Sequence, residues 1–168
     1  MRVQTLPILR GDLGTAQTVA LMKLLVDRAI LNPGFRAYAI RVASQHGRNG
    51  ITQAYGIRQW LTERVSFIRD PDQLELLQSP VEVLTQIVQV GQMAMDCDDV
   101  AMLGAALGRA VGLRARFVVT AFQGPQKPFA HVWTELSDNR QQEWVELDIT
   151  RTAQALNIPV TRRMVVPA

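Results

Sequence analysis

Three residues carry the chemistry this sequence could perform: Cys97, His131 and Asp148. Cys97 is the only cysteine in the chain. It stands at the first turn of a predicted helix, where the positive end of the helix dipole favours the thiolate, the attacking species. His131 and Asp148 follow 34 and 51 residues downstream, and their midpoint falls inside a polar turn, Ser137-Asp138-Asn139-Arg140. Strands paired symmetrically about that turn set His131 opposite Asp148, on one face, with Cβ atoms about 4.5–5.5 Å apart. A carboxylate beside an imidazole holds one tautomer and stabilises the imidazolium, and an imidazolium beside a thiol favours the thiolate. This is the chemistry of acyl transfer: attack on an amide carbonyl, a thioester intermediate, then release to water or an amine.

The neighbours of these residues qualify that chemistry. Asp96, Asp98 and Asp99 read as an N-cap and first-turn acids. As negative neighbours of Cys97 they oppose the thiolate. With His131 they also offer a carboxylate metal site, although Asp98 and Asp99, adjacent on a helix, cannot easily face one ion. An oxyanion hole needs donors aimed at the developing charge. The backbone N–H of Cys97 is one candidate, and Gln92, Gln89 and Gln78 are side-chain candidates among which the sequence does not choose. Trp133 and Trp144 fit either a site wall or the core. His46, in a Gly-containing loop, reads as surface.

Elements must position these groups. Apolar Val19, Met22, Leu25, Val26 and Ala29 recur at helical spacing, so a helix is expected over 15–31, capped by Thr15 and stopped by Asn32-Pro33-Gly34. Further helices are expected over 35–45, 51–64 and 80–90, the last opened by Ser79 as cap and Pro80 as first residue. Asp70-Pro71-Asp72 reads as a turn, and Leu74 to Leu77 as a short extended piece. The helix from Cys97 to Val111 is rich in small residues and closed by Gly112. Small residues let other backbone come close, so this helix is expected to be central and buried. Strands are expected over 114–122, 130–136, 143–147 and 160–166.

In the symmetric register Trp133 faces Glu146, and Glu135 faces Trp144. Val132, Leu136, Val145 and Leu147 take the other, apolar face, which must pack on helices. Either helices cover both faces, or His131 lies at an end of the sheet, where the N-terminus of the Cys97 helix can reach it; the second is expected. Helices first and an antiparallel sheet after them make an α+β architecture.

Composition narrows the class. A chain of 168 residues, 48% hydrophobic and 20% charged, suits a single globular domain. One cysteine excludes an internal disulfide framework and the common structural zinc sites. The net charge of +3 comes mostly from scattered arginines, a pattern of solvated helix faces more than of a nucleic-acid footprint. No apolar run reaches the ~18 residues of a membrane span, and the N-terminus lacks the apolar core of a signal peptide. The location expected is the cytoplasm, or a virion if the protein is phage-encoded.

The chemical residues also carry a resemblance. Met95-Asp96-Cys97-Asp98-Asp99-Val100 resembles the nucleophile motif of bacterial and phage transglutaminase-like proteins. Leu107-Gly108-Arg109-Ala110-Val111-Gly112-Leu113-Arg114-Ala115-Arg116 is similar to the exit of the helix that follows it there. His131-Val132-Trp133-Thr134-Glu135 and Trp144-Val145-Glu146-Leu147-Asp148-Ile149-Thr150 resemble the second and third motifs. Met95 stands where Gly is usual, and Arg114 where Pro is common. The resemblance covers about residues 51–150. It implies a papain-like fold and no cofactor, with Cys97 as nucleophile, His131 as general base and acid, and Asp148 as orienting carboxylate. It implies thiol-dependent acyl transfer on protein or peptide amides. The alternative is a non-catalytic structural or assembly protein on the same fold, such as a virion component. Residues 1–50 then form an N-terminal helical region, and 151–168 a C-terminal extension, of the single domain.

Overall fold

The computed structural model describes residues 7–68, 76–122, 124–138, 143–150 and 158–168. Five helices are described: α1 (Gly11–Ala29), α2 (Pro33–Ser44), α3 (Gly50–Arg64), α4 (Pro80–Val90) and α5 (Cys97–Ala110). Strands β1 (Val65–Phe67) and β2 (Met93–Met95) pair in parallel. The main sheet contains β3 (Arg114–Phe122), β4 (His131–Ser137), β5 (Val145–Glu146) and β6 (Val160–Pro167), in the order β5-β4-β3-β6 and antiparallel throughout. The architecture is α+β, with α5 as the hub: it touches α1, α2, α3 and α4 on one side and β3 and β4 on the other. Among the described residues, no helix is long and apolar enough to cross a membrane.

Local chemistry explains most element ends. Asn49 and Asp96 accept hydrogen bonds from the backbone N–H groups of Thr52 and Asp99, capping α3 and α5. Asn32 does the same for Phe35, so Asn32-Pro33-Gly34 both stops α1 and starts α2. Helix α1 begins at Gly11, four residues before the expected Thr15 cap. Thr15 lies inside the helix with its hydroxyl turned to the Gly11 carbonyl. The first turn escaped the apolar pattern because Leu13 there is exposed. The β1–β2 pair was not anticipated either, since three-residue strands are too short to show alternation. It matters because β2 runs straight into the Asp96 cap. The expected turn at 70–72 lies outside the described residues, and the extended piece at 74–77 is described only from Leu76.

Helix α5 is buried over most of its length, from Asp98 through Gly108. Its small residues let the sheet come close. A Cβ on Gly104 would stand 3.1 Å from Leu147 Cδ2, and one on Gly108 only 2.4 Å from Leu136 Cδ2. The Thr134 hydroxyl donates to the Ala101 carbonyl at 2.6 Å, bolting β4 to the helix. Ala115, Phe117, Val119, Val132, Leu136, Val145 and Leu147 are all buried in one core cluster with the helix.

The hairpin register differs from the symmetric expectation. Glu135 pairs with Glu146 and Leu136 with Val145, a shift of two residues. The side-chain period of a strand is two, so this slip leaves every residue on its expected face. The apolar alternation therefore could not distinguish the two registers. Glu135 faces Glu146 instead of Trp144 and is neutralised by Arg116 and Arg163. Strand β6 joins the sheet beside β3.

The Gly108→Val substitution should destabilise the protein by about 1–3 kcal/mol, because Leu136 is fully buried and cannot move aside. Denaturant unfolding of the purified variant measures this.

Candidate active site

Cys97 is the first residue of α5 and His131 the first residue of β4. Docking α5 on β3 and β4 brings these two starts to the same end of the sheet, where His131 was expected. Both line one cavity of about 590 Å³, walled also by α1, by Phe67 and by Pro128–Ala130. That volume suits a small-molecule ligand or a few peptide side chains.

The histidine is tightly held. Its Nε2 lies 2.9 Å from Asp148 Oδ2, and both side chains are buried. Phe122 stacks on its ring at 6.4 Å between centroids, and Trp133 lies tilted at 5.6 Å. Asp148 sits just past the end of β5, so it reaches His131 without being its ladder partner. The other carboxylate oxygen, Oδ1, accepts from the Thr150 backbone N–H at 3.0 Å and its hydroxyl at 2.7 Å. Burial pushes the Asp148 carboxyl up, but the hydrogen bond and charge of His131 and both Thr150 bonds outweigh it. The carboxyl is held below its ordinary value of 3.8. An ionised Asp148 accepts from Nε2–H, which leaves Nδ1 as the basic nitrogen of the neutral ring.

The thiol is in a different state from the one its helix position suggests. Burial, then the Asp98 charge, push Cys97 well above the ordinary thiol value of 9.0, and Asp96 adds to this. The thiol donates to Asp98 Oδ1 at 3.4 Å. A hydrogen bond from the backbone N–H of Val132 to the sulfur opposes them. The helix-dipole expectation is thus overridden, and the resting group is a neutral thiol.

The Transglutaminase-like superfamily profile matches residues 36–149, a span holding Cys97, His131 and Asp148. The chain belongs to that superfamily. The match starts ahead of residue 51, where the motifs begin, and takes in all but the first three residues of α2. Among solved structures, the chain is similar to a protein described as a candidate cysteine protease from Cytophaga hutchinsonii. The two share 21% identity at a TM-score of 0.55, over 78% of this chain and 42% of that one. It is also similar to a protein described as a candidate protease from Parabacteroides distasonis, with 12% identity, a TM-score of 0.54, and 76% and 26% of the two chains covered. At such identities the likeness is one of fold, and the chain spans less than half of either protein. No curated protein matches it in sequence.

The remaining candidates of this transglutaminase-like chain lie away from the cavity. Gln78 is fastened to Asp99, its backbone N–H and side-chain amide donating to the two carboxylate oxygens at 2.8 and 2.7 Å. Gln92 is exposed and donates to the Glu63 carbonyl, and Gln89 is exposed on α4. None of the three lines the cavity. Trp144 lies under the guanidinium groups of Arg114 and Arg116, and it and Trp133 stay out of the cavity wall. His46 is exposed. Asp99 turns to Gln78 and His131 to Asp148, and among the described residues no cluster of three or more His, Cys, Asp or Glu is arranged for a metal ion. Thr150 joins the site as the residue that fastens Asp148, and its signal in the sequence is the Asp-x-Thr spacing of an Asx-turn.

Two outcomes follow from the charge states. Iodoacetamide should alkylate Cys97 at pH 7 more slowly than a free peptide thiol, with a rate that climbs through pH 9 without levelling; a plateau below pH 8 would contradict the neutral thiol. Asp148→Asn should cost about 1.5–3 kcal/mol at pH 7, the range for hydrogen bonds to a charged group. The folded carboxyl has the lower pKa, so as pH falls below 3.8 the unfolded state takes up the proton first and the Asp148 contribution drains away. Denaturant unfolding of wild type and variant should therefore differ at neutral pH and converge in acid.

Proposed function

We propose that this protein transfers acyl groups from protein or peptide amides through Cys97, His131 and Asp148. The observation that supports it best is the shared cavity: a thiol and an Asp148-bound imidazole open into one space beside the start of α5. Family membership and the fold shared with proteins described as candidate proteases point the same way.

In this reading the thiol is neutral until attack. Its proton passes to His131 Nδ1 as sulfur bonds to the substrate carbonyl carbon. Asp148 stabilises the imidazolium that forms. In the same reading the backbone N–H of Cys97, the first residue of α5, donates to the oxyanion. His131 then returns the proton to the departing amine as the C–N bond breaks, leaving a thioester. Water or a second amine, deprotonated by His131, attacks the thioester carbon, and the thiol regains its proton as it leaves.

A non-catalytic assembly role on the same fold is the second reading, and the burial of Cys97 among carboxylates is what favours it. A screen of protein substrates, read both for amide hydrolysis and for incorporation of a fluorescent primary amine, separates the two. Cys97→Ala and His131→Ala should each lose about a thousandfold or more, and Asp148→Asn a comparable amount. Wild type indistinguishable from Cys97→Ala in both assays would leave the assembly role.

A further inference from the structure

One wall of the cavity lies outside the family match. Helix α1 contributes Gly14, Thr18, Val19 and Met22 to it, and the preceding segment contributes Ile8 and Leu9. That segment is seated by two devices. The Gln17 carboxamide clamps its backbone on either side of Ile8: Nε2 donates to the Pro7 carbonyl at 2.9 Å, and Oε1 accepts from the Leu9 N–H at 3.1 Å. Gly14 gives it room, since a Cβ there would lie 2.0 Å from the Leu9 carbonyl oxygen. Glycine is a poor residue for a helix interior, and Gly14 is not among the glycines with positive φ. Close approach of the segment is therefore what it serves.

The seated segment brings apolar side chains to the site. Ile8 and Leu9 are 42% and 60% exposed at the cavity rim, although both line it. Val19 and Met22 from α1, with Val119 and Val132 from the sheet, continue the apolar lining toward Cys97. An alkyl side chain placed there loses its contact with water on several sides at once. The nearby Asp96 and Asp98 carboxylates give no such reward to an acidic one.

We propose that Pro7–Arg10, clamped by Gln17 and seated on Gly14, is a specificity wall of the Cys97 cavity that selects a branched apolar side chain on the acyl substrate. It rests on the reading of Cys97 as the nucleophile. The segment acts by contact with the substrate side chain and takes no part in moving protons.

The test labels Cys97 in the full chain with three reagents: peptidyl acyloxymethyl ketones carrying leucine or alanine next to the reactive group, and iodoacetamide. Wild type should react with the leucine probe about tenfold or more faster than with the alanine probe, in the range expected for added methylenes in an apolar pocket. Gly14→Ala, which improves helix propensity while displacing the segment, should cut that ratio to about threefold or less. Gln17→Ala, which removes the clamp, should do the same. Iodoacetamide rates should stay within about threefold across all three proteins, because the thiol itself is untouched. A wild type without preference, or a preference kept in both variants, would overturn the proposal. So would iodoacetamide rates that fall in step with the peptide rates. Labelling by iodoacetamide but by neither peptide would overturn the acyl-transfer reading along with it.

Discussion

The close approach of α5 to the β3–β4 pair is what brings Cys97 and His131 to one cavity. Gly104 and Gly108 bring the helix down onto Leu147 and Leu136, and Thr134 ties β4 to the Ala101 carbonyl. With the helix held at that distance and direction, its first residue, Cys97, meets the first residue of β4, His131, at one cavity. A side chain on Gly108 would push the sheet away from the middle of the helix.

Electrostatics at the start of α5 is a contest between backbone and side chains. The helix dipole and the Val132 N–H favour a thiolate, while burial and two carboxylates oppose it, and the second group prevails. Each acid nevertheless has a partner. Asp96 caps the helix through the Asp99 N–H, Asp98 receives the thiol proton's hydrogen bond, and Asp99 fastens Gln78. The acids thus hold the surroundings of Cys97 in place while opposing its ionisation. Just past β5, Asp148 is held in its charged form by the groups that also aim it, His131 and Thr150.

Much of this was legible in the residues. The Asp96 cap, the small-residue helix and the apolar alternation of the strands are local signals, and the structure shows the helices and strands they imply. The α1 start and the β1–β2 pair were not legible, because an exposed Leu13 breaks the pattern and three-residue strands have none. The hairpin register was half legible. Parity put His131 and Asp148 on one face, but a two-residue slip preserves parity, so the ladder partner stayed undecided. The glutamines could not be sorted, because which backbone or carboxylate an amide meets is a matter of tertiary placement.

Side-chain type and periods of 3.6 and two were enough to read the five helices, the main-sheet strands and the face each of their residues takes, and to single out Cys97, His131 and Asp148 as candidates. Only the tertiary structure decided the protonation state of Cys97, the Thr150 bonds that aim Asp148, and the wall that α1 and Ile8–Leu9 raise beside the thiol. All three depend on burial and on contacts between segments far apart in the chain, and neither quantity is written in local sequence.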